Sequence, residues 1–288
     1  MRKIKEFVIV KLIQVCGLAS IFFVALIFLF LLKEGLSVFK TVSPFDFSFG
    51  KNWYPISEPA QLGILPLISG SLLVTLGAAV ISIPIGVGCA VYIAEIAPLK
   101  IKEILKAGIE LLAAIPSVVL GFIGMITLVP LVKNIFHLPT GLTALSGSIM
   151  LAFMAMPTIV SIAEDALYSV PKTYKEGALA LGATHWQAIW RVMLPAASSG
   201  ILAAVMLGIG RVIGETMAVM MITGNAAVMP NSILVPVRTL TATIAAEMGE
   251  AVVGSEHYFA LFAIGIILFI ISFAINVTAD LFLQKRQQ

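Results

Sequence analysis

The sequence predicts an all-α polytopic membrane protein with six transmembrane helices. Three observations carry that expectation. Of 288 residues, 60% are hydrophobic and only 11% charged. A soluble domain has about a quarter charged residues, so this chain cannot cover a water-facing globular surface. Six stretches are apolar enough and long enough to cross a bilayer, which takes roughly 20 residues. The basic residues gather in alternate connecting segments, as membrane-crossing helices demand. An ordinary cytosolic enzyme, a disordered chain and a fibrous repeat are excluded. A net charge of +3, scattered along the chain, excludes a nucleic-acid partner and leaves membrane lipid as the surrounding medium.

The six stretches can be read in order. The first is Leu12 to Leu32. Arg2, Lys3 and Lys5 precede it, as in a signal peptide, but the apolar run is too long for one and no small-residue cleavage site follows, so a retained helix is expected. Leu67 to Ala94 is the second, with Pro84, Gly86 and Gly88 inside it. Leu111 to Val132 is the third, with Pro116, Gly121 and Gly124. Thr143 to Ala163, holding Pro157, is the fourth. Gly200 to Ile222 is the fifth and carries two charges, and Phe259 to Ala279 is the sixth. Proline and glycine inside the second to fourth spans suggest kinked helices around a cavity, although both residues are also common in membrane helices. Cys16 and Cys89 lie in apolar runs and read as packing residues rather than a disulfide or a metal site. No cofactor or metal is expected.

Lys and Arg set the orientation. The N-terminus holds Arg2, Lys3, Lys5 and Lys11, the loop after the second span Lys100, Lys102 and Lys106, the loop after the fourth Lys172, Lys175 and Arg191, and the C-terminus Lys285 and Arg286. The other side holds Lys33, Lys40, Lys51, Lys133 and Arg238. Twelve basic residues against five place both termini in the cytoplasm of a cell-membrane protein. Residues 1–66 then form an N-terminal membrane helix and an external cap containing Trp53, Tyr54, Pro55 and Pro59. Residues 67–283 form a core of five further helices. Thr239 to Ala251 fits a short amphipathic helix lying at the membrane surface or dipping into it.

The longest cytoplasmic segment is 164–199. Pro171 can open a helix that Lys172 to Leu181 favours, and Gly182 suits its C-cap. A second helix fits Thr184 to Met193 with Thr184 as N-cap, and Pro195 breaks or kinks the chain beyond it. The residues alone allow either a compact projecting knob or a plain solvated hairpin. In the fifth span, Arg211 and Glu215 are four residues apart, which on one helix puts them on one face about 6 Å apart along the axis. Each costs about 2.5–3.5 kcal/mol at mid-bilayer on insertion scales, and such residues mark a pathway or a structural pair. A guanidinium fork matches the oxygen pairs of a tetrahedral oxyanion. A carboxylate beside it can orient the guanidinium or take a proton from a substrate that still carries one, and it repels a fully deprotonated anion such as sulfate.

Three motifs carry a family resemblance. Glu176-Gly177-Ala178, three residues, Gly182, nine residues, Val192, one residue, then Leu194-Pro195 resembles the E-A-A signature loop of ABC importer permeases, with Gly177 for Ala and Val192 for Ile as departures. The resemblance implies that this loop docks in a groove of a cytoplasmic ATPase. Glu176 would supply a charged contact or a cap, Gly177 and Ala178 close approach, and Gly182 the turn. The segment from Gly208 to Ala218, which includes Arg211, Glu215 and Thr216, resembles G-R-x-I-G-E-T-M-A of the phosphate ABC importer permeases of the PstC type. Ala114 to Gly121 resembles their A-x-P-S-x-x-x-G run. The likeness extends from Ser69 to Leu283. It implies the type I ABC importer permease fold, inorganic phosphate as substrate, and Arg211, Glu215 and Thr216 on its path. The implied partners are a PstA-like second permease subunit, a PstB-like ATPase dimer and a PstS-like extracytoplasmic binding protein.

The chain itself has no G-x-x-x-x-G-K-[ST] phosphate loop, so ATP hydrolysis is expected in a separate subunit and not in this one. A permease of the same architecture for another oxyanion, sulfate or molybdate, is the nearest competitor. An intramembrane enzyme needs a nucleophile–base pair or a metal-ligand cluster at membrane depth. His137, His185 and His257 instead read as loop residues, well separated along the chain. A simple channel has no use for a coupling loop.

Overall fold

The computed structural model describes residues 2–287. The side chains of residues 1–6, 8 and 279–288 lie outside the described set, and with them Arg2, Lys3, Lys5, Lys285 and Arg286 of the charge argument.

Helix α1 (Arg2–Gly35) leads into a 3-10 turn (Leu36–Lys40) and the short α2 (Pro44–Phe49). Two residue pairs, β1 (Trp53–Tyr54) and β2 (Gln61–Leu62), then pair antiparallel with Trp53 opposite Leu62. Next come α3 (Leu65–Val91), a π-turn (Tyr92–Ile96), α4 (Leu99–Ala114), α5 (Ser117–Ile135) and α6 (Ala144–Tyr168). The 164–199 segment holds α7 (Lys172–Ala180), α8 (His185–Ala188), a second π-turn (Ile189–Met193) and α9 (Leu194–Ala196). The chain closes with α10 (Ser198–Ile213), α11 (Met217–Ile222), α12 (Leu240–Glu247) and α13 (Glu256–Gln287). Among the described residues, five helices are long and apolar enough to cross a membrane, and a sixth span is obtained when α8–α9 and α10, bent by 70°, are taken as one.

Helix α6 is the centre of the bundle, and its composition explains why. Hydrophobicity does not drive helices together in lipid, so association rests on small residues and internal hydroxyl bonds. Ala144, Ser146, Gly147, Ser148, Ala152, Ala155 and Ala163 on α6 are all buried. Thr143 caps its start by accepting the Ser146 N–H at 3.2 Å. Ser148 Oγ donates to the Val74 carbonyl of α3 at 3.2 Å. Ile159 of α6 is fully buried between glycines of two neighbours: a methyl on Gly86 of α3 would meet its Cγ2 at 2.8 Å, and one on Gly208 of α10 would meet its Cγ1 at 2.5 Å. A methyl on Gly121 of α5 would lie 2.9 Å from Ala218 Cα of α11, and one on Gly124 would lie 2.7 Å from Ile222 Cδ1. Three of the expected kink glycines are therefore close-approach points between helices, not hinges around a cavity. Pro84 and Pro157 sit inside α3 and α6 without ending either helix, which membrane helices tolerate.

One expected boundary moves. The third span was expected from Leu111, yet α4 ends at Ala114 and α5 begins at Ser117. Pro116 pushes Ile115 to extended backbone, ψ 128°, because a residue before proline avoids the helical region. Helix α4 is consequently a separate amphipathic helix with no buried residue. Cys16 and Cys89 are free, as expected, but exposed instead of packed. The 33–66 cap is ordered through its own core: Val38, Phe47, Trp53, Leu62 and Ile64 cluster with Leu240 of α12 and Leu261 and Ile264 of α13.

Candidate functional site

The fifth span is not one helix. Helix α10 stops at Ile213, residues 214–216 leave the helical ladder, and α11 starts at Met217. The expectation that Arg211 and Glu215 share a helix face is corrected accordingly. Arg211 lies in the last turn of α10 and Glu215 lies in the break. Two glycines, Gly210 and Gly214, flank Arg211 and weaken the ladder there. Side chains complete the break. Glu215 Oε1 accepts the Ala218 N–H at 3.2 Å and so caps α11. The Glu215 carbonyl accepts Thr241 Oγ1 of α12 at 2.8 Å, and Thr216 Oγ1 donates to the Gly214 carbonyl at 3.2 Å. Irregular backbone at membrane depth persists only where it is buried in protein or lines a water-filled space.

Arg211 is exposed, and Nη1 donates a 3.5 Å hydrogen bond to Thr158 Oγ1 of α6. Among the described residues it forms no ion pair. Glu215 and Thr216 are half-buried. An arginine inside a membrane-crossing segment that faces lipid tails costs about 2.5–3.5 kcal/mol at mid-bilayer on insertion scales. Its face must therefore meet water, an anion or another polypeptide.

At the other candidate site, α7 and α8 form the two short helices read from the sequence. Gly182 adopts φ +87°, a left-handed conformation that ends α7 without strain because glycine has no Cβ. Thr184 Oγ1 accepts the Gln187 N–H at 3.2 Å, and Gln187 Oε1 returns the bond to the Thr184 N–H at 2.9 Å, a complete capping box. Helix α7 buries no residue, and nothing lies within 4 Å of a Cβ placed on Gly177 or Gly182. Glu176 is exposed and Ala178 half-buried. Leu181 is 91% exposed, and Trp186 and Trp190 also face outward with ring centroids 5.6 Å apart. Leu194 and Pro195 form α9, so Pro195 occupies the start of a helical turn and the bend falls just beyond it, before Ser198.

Three carboxylates have roles that sequence reasoning did not reach. Glu164 of α6 is 2% exposed, with Lys102 and Lys106 of α4 at 3.8 and 3.5 Å. Glu95 pairs with Lys175 of α7 at 2.5 Å. Glu247 ends α12, pairs with Arg238, and receives Trp53 Nε1 at 3.1 Å and His257 Nε2 at 2.9 Å. Glu247 and these three partners line a cavity of about 520 Å³ beside the cap. The available signal was a lone acidic residue at the edge of an apolar run, which does not name its partner. His185 and His257 open α8 and α13 instead of lying in loops.

A helix bundle with a polar break in one span and a projecting two-helix element at one end is the architecture of a multi-pass membrane transport subunit. The chain belongs to the family described as binding-protein-dependent transport system inner membrane component, whose model matches residues 82–288. It is 42% identical over 264 residues to the probable ABC transporter permease protein YqgH of Bacillus subtilis, covering 91% of this chain and 85% of that one. It is 36% identical over 267 residues to the phosphate transport system permease protein PstC of Mesorhizobium japonicum, covering 85% and 81%. Among solved structures, the inward-facing MetNI methionine ABC transporter matches with TM-score 0.64 at 19% identity, covering 81% of this chain and all of that one. A bacterial alginate ABC transporter matches with TM-score 0.65 at 16% identity, covering 93% and 92%. The fold is that of ABC importer permeases.

Proposed function

We propose that this chain is the permease subunit of an ATP-driven importer that moves inorganic phosphate into the cytoplasm, with both termini on the cytoplasmic side. The observation that carries the substrate class is Arg211, an exposed guanidinium in the last turn of α10 beside the helix break, with one long hydrogen bond to Thr158. Broken helices at mid-membrane are where transporters hold substrate, and a guanidinium fork fits a tetrahedral oxyanion. The relatives named phosphate permeases support phosphate over sulfate or molybdate. Arg211, Glu215 and Thr216 line the path in this reading. Its open side faces a second, PstA-like permease, since one chain leaves Arg211 uncovered.

The projecting α7–α8 element docks on a PstB-like ATPase through Glu176, Gly177, Ala178 and Gly182, with Leu194 and Pro195 setting the re-entry to the membrane. A PstS-like binding protein delivers the anion on the opposite side, where residues 33–66 form the cap. ATP hydrolysis belongs to the ATPase subunit. Reconstitution of the four components in vesicles containing ATP tests the whole proposal. Labelled phosphate should accumulate and excess sulfate should not compete. Sulfate accumulation without phosphate uptake would overturn the substrate, and loss of ATP dependence would overturn the coupling.

A further inference from the structure

We infer that Glu95 is a positioning residue that ties both helices of the α7–α8 element to span α3, and through that tie carries its motion into the bundle. The inference rests on the proposal that this element docks on an ATPase. Helix α3 runs into the π-turn Tyr92–Ile96, and Glu95 lies inside that turn. Single π-turns recur at functional sites. The Glu95 side chain is 9% exposed, and its Oε2 lies 2.5 Å from Lys175 Nζ of α7. The carbonyl of the same residue lies 3.3 Å from His185 Nε2, at the start of α8. One residue at the end of a span thus holds both halves of the projecting element.

Little else holds α7. It buries no residue, and a cavity of about 340 Å³ lies behind it, lined by apolar residues such as Leu167, Leu179 and Met193 and by Glu95, Lys175 and Glu176. A seat that is incompletely filled transmits push and pull poorly, because cavity-facing atoms have no partner to act on. Helix α8 is different. It leads directly into the second π-turn, whose Ile189 and Met193 are buried with Ile93 of the first. The two π-turns therefore share one core, and the Glu95–Lys175 pair is the link that brings α7 into it. A charged hydrogen bond held largely out of water, with its carboxylate nine-tenths buried, is a stiff connection.

The test is the number of labelled phosphate ions moved per ATP hydrolysed by the reconstituted complex, with the amount of assembled complex measured alongside. Glu95→Gln and Lys175→Gln should each assemble yet move several-fold fewer ions per ATP. The exchange Glu95→Lys/Lys175→Glu should restore much of the ratio. An unaltered ratio in both single variants overturns the inference, and so does a lowered ratio that the exchange leaves lowered. Should Lys175→Gln fail to assemble because it strands the buried Glu95 carboxylate, Glu95→Gln alone decides, since it removes that charge and leaves a lysine that water reaches. Failure of the underlying proposal looks different: the unmodified complex would then show no ATP-driven phosphate uptake.

Discussion

Arg211 lies in the last turn of α10 and Glu215 in the break that follows it, and the carboxylate of Glu215 is turned to the Ala218 N–H of α11 rather than to the guanidinium. The two charges therefore have separate work. Glu215 holds the second half of the broken span in place, while Arg211 remains free of any described carboxylate. That division removes the simplest structural explanation for an arginine at membrane depth, an ion pair within its own helix.

Glu215→Gln should be mild, because an amide oxygen can still accept the Ala218 N–H. Glu215→Ala removes the cap and should destabilise the protein by about 1 kcal/mol, the usual scale for losing an N-cap. Thermal unfolding of the purified protein in detergent reads the difference. Equal stability of the alanine and glutamine variants would contradict the capping role.

Glu164 gives an asymmetric expectation. Its carboxylate is almost fully buried, whereas Lys102 and Lys106 are 21% and 42% exposed. Removing both lysines strands a buried charge, which costs about 3–5 kcal/mol. Glu164→Gln leaves two lysines that water can reach, so it should cost clearly less. The check is unfolding of the two variants in parallel, and the reverse order would show that α4 is not clasped to α6 in this way.

The projecting element makes a steric prediction. Gly182→Arg forces a bulky residue into φ +87° and places it on an open surface. The chain should still insert, since no span changes, but co-purification of the ATPase should fall by an order of magnitude or more. Full retention of the ATPase by this variant would remove the loop from the interface.

Orientation has its own test. In a background lacking Cys16 and Cys89, an impermeant thiol reagent added outside whole cells should label Lys51→Cys and spare Leu181→Cys. Both positions are exposed, so burial cannot explain a difference. Labelling of position 181 alone would invert the charge argument.

Much of this was legible from local chemistry. Apolar run lengths located the spans, and Thr184 and Gly182 marked the turns of the projecting element, because caps and left-handed residues are decided within a few residues. The break at 214–216 was hidden because one of its stabilising partners, Thr241, is 26 residues away and acts through the folded chain. The Gly-Glu-Thr run looked like part of a continuous apolar helix. The same reason hid Glu95, whose partners are 80 and 90 residues away. Pro116 was visible, yet its effect on the third span was underweighted against the hydrophobic run around it.

The central claim is that Arg211 contacts the transported anion, and labelled-phosphate uptake by the assembled complex carrying Arg211→Ala tests it most directly. A hydrogen bond to a charged group is worth about 1.5–3 kcal/mol, so uptake should fall roughly 10- to 100-fold while insertion and ATPase binding persist. Arg211→Lys should recover little, because a point charge lacks the two-pronged geometry. Uptake at the unmodified rate in Arg211→Ala would contradict the account.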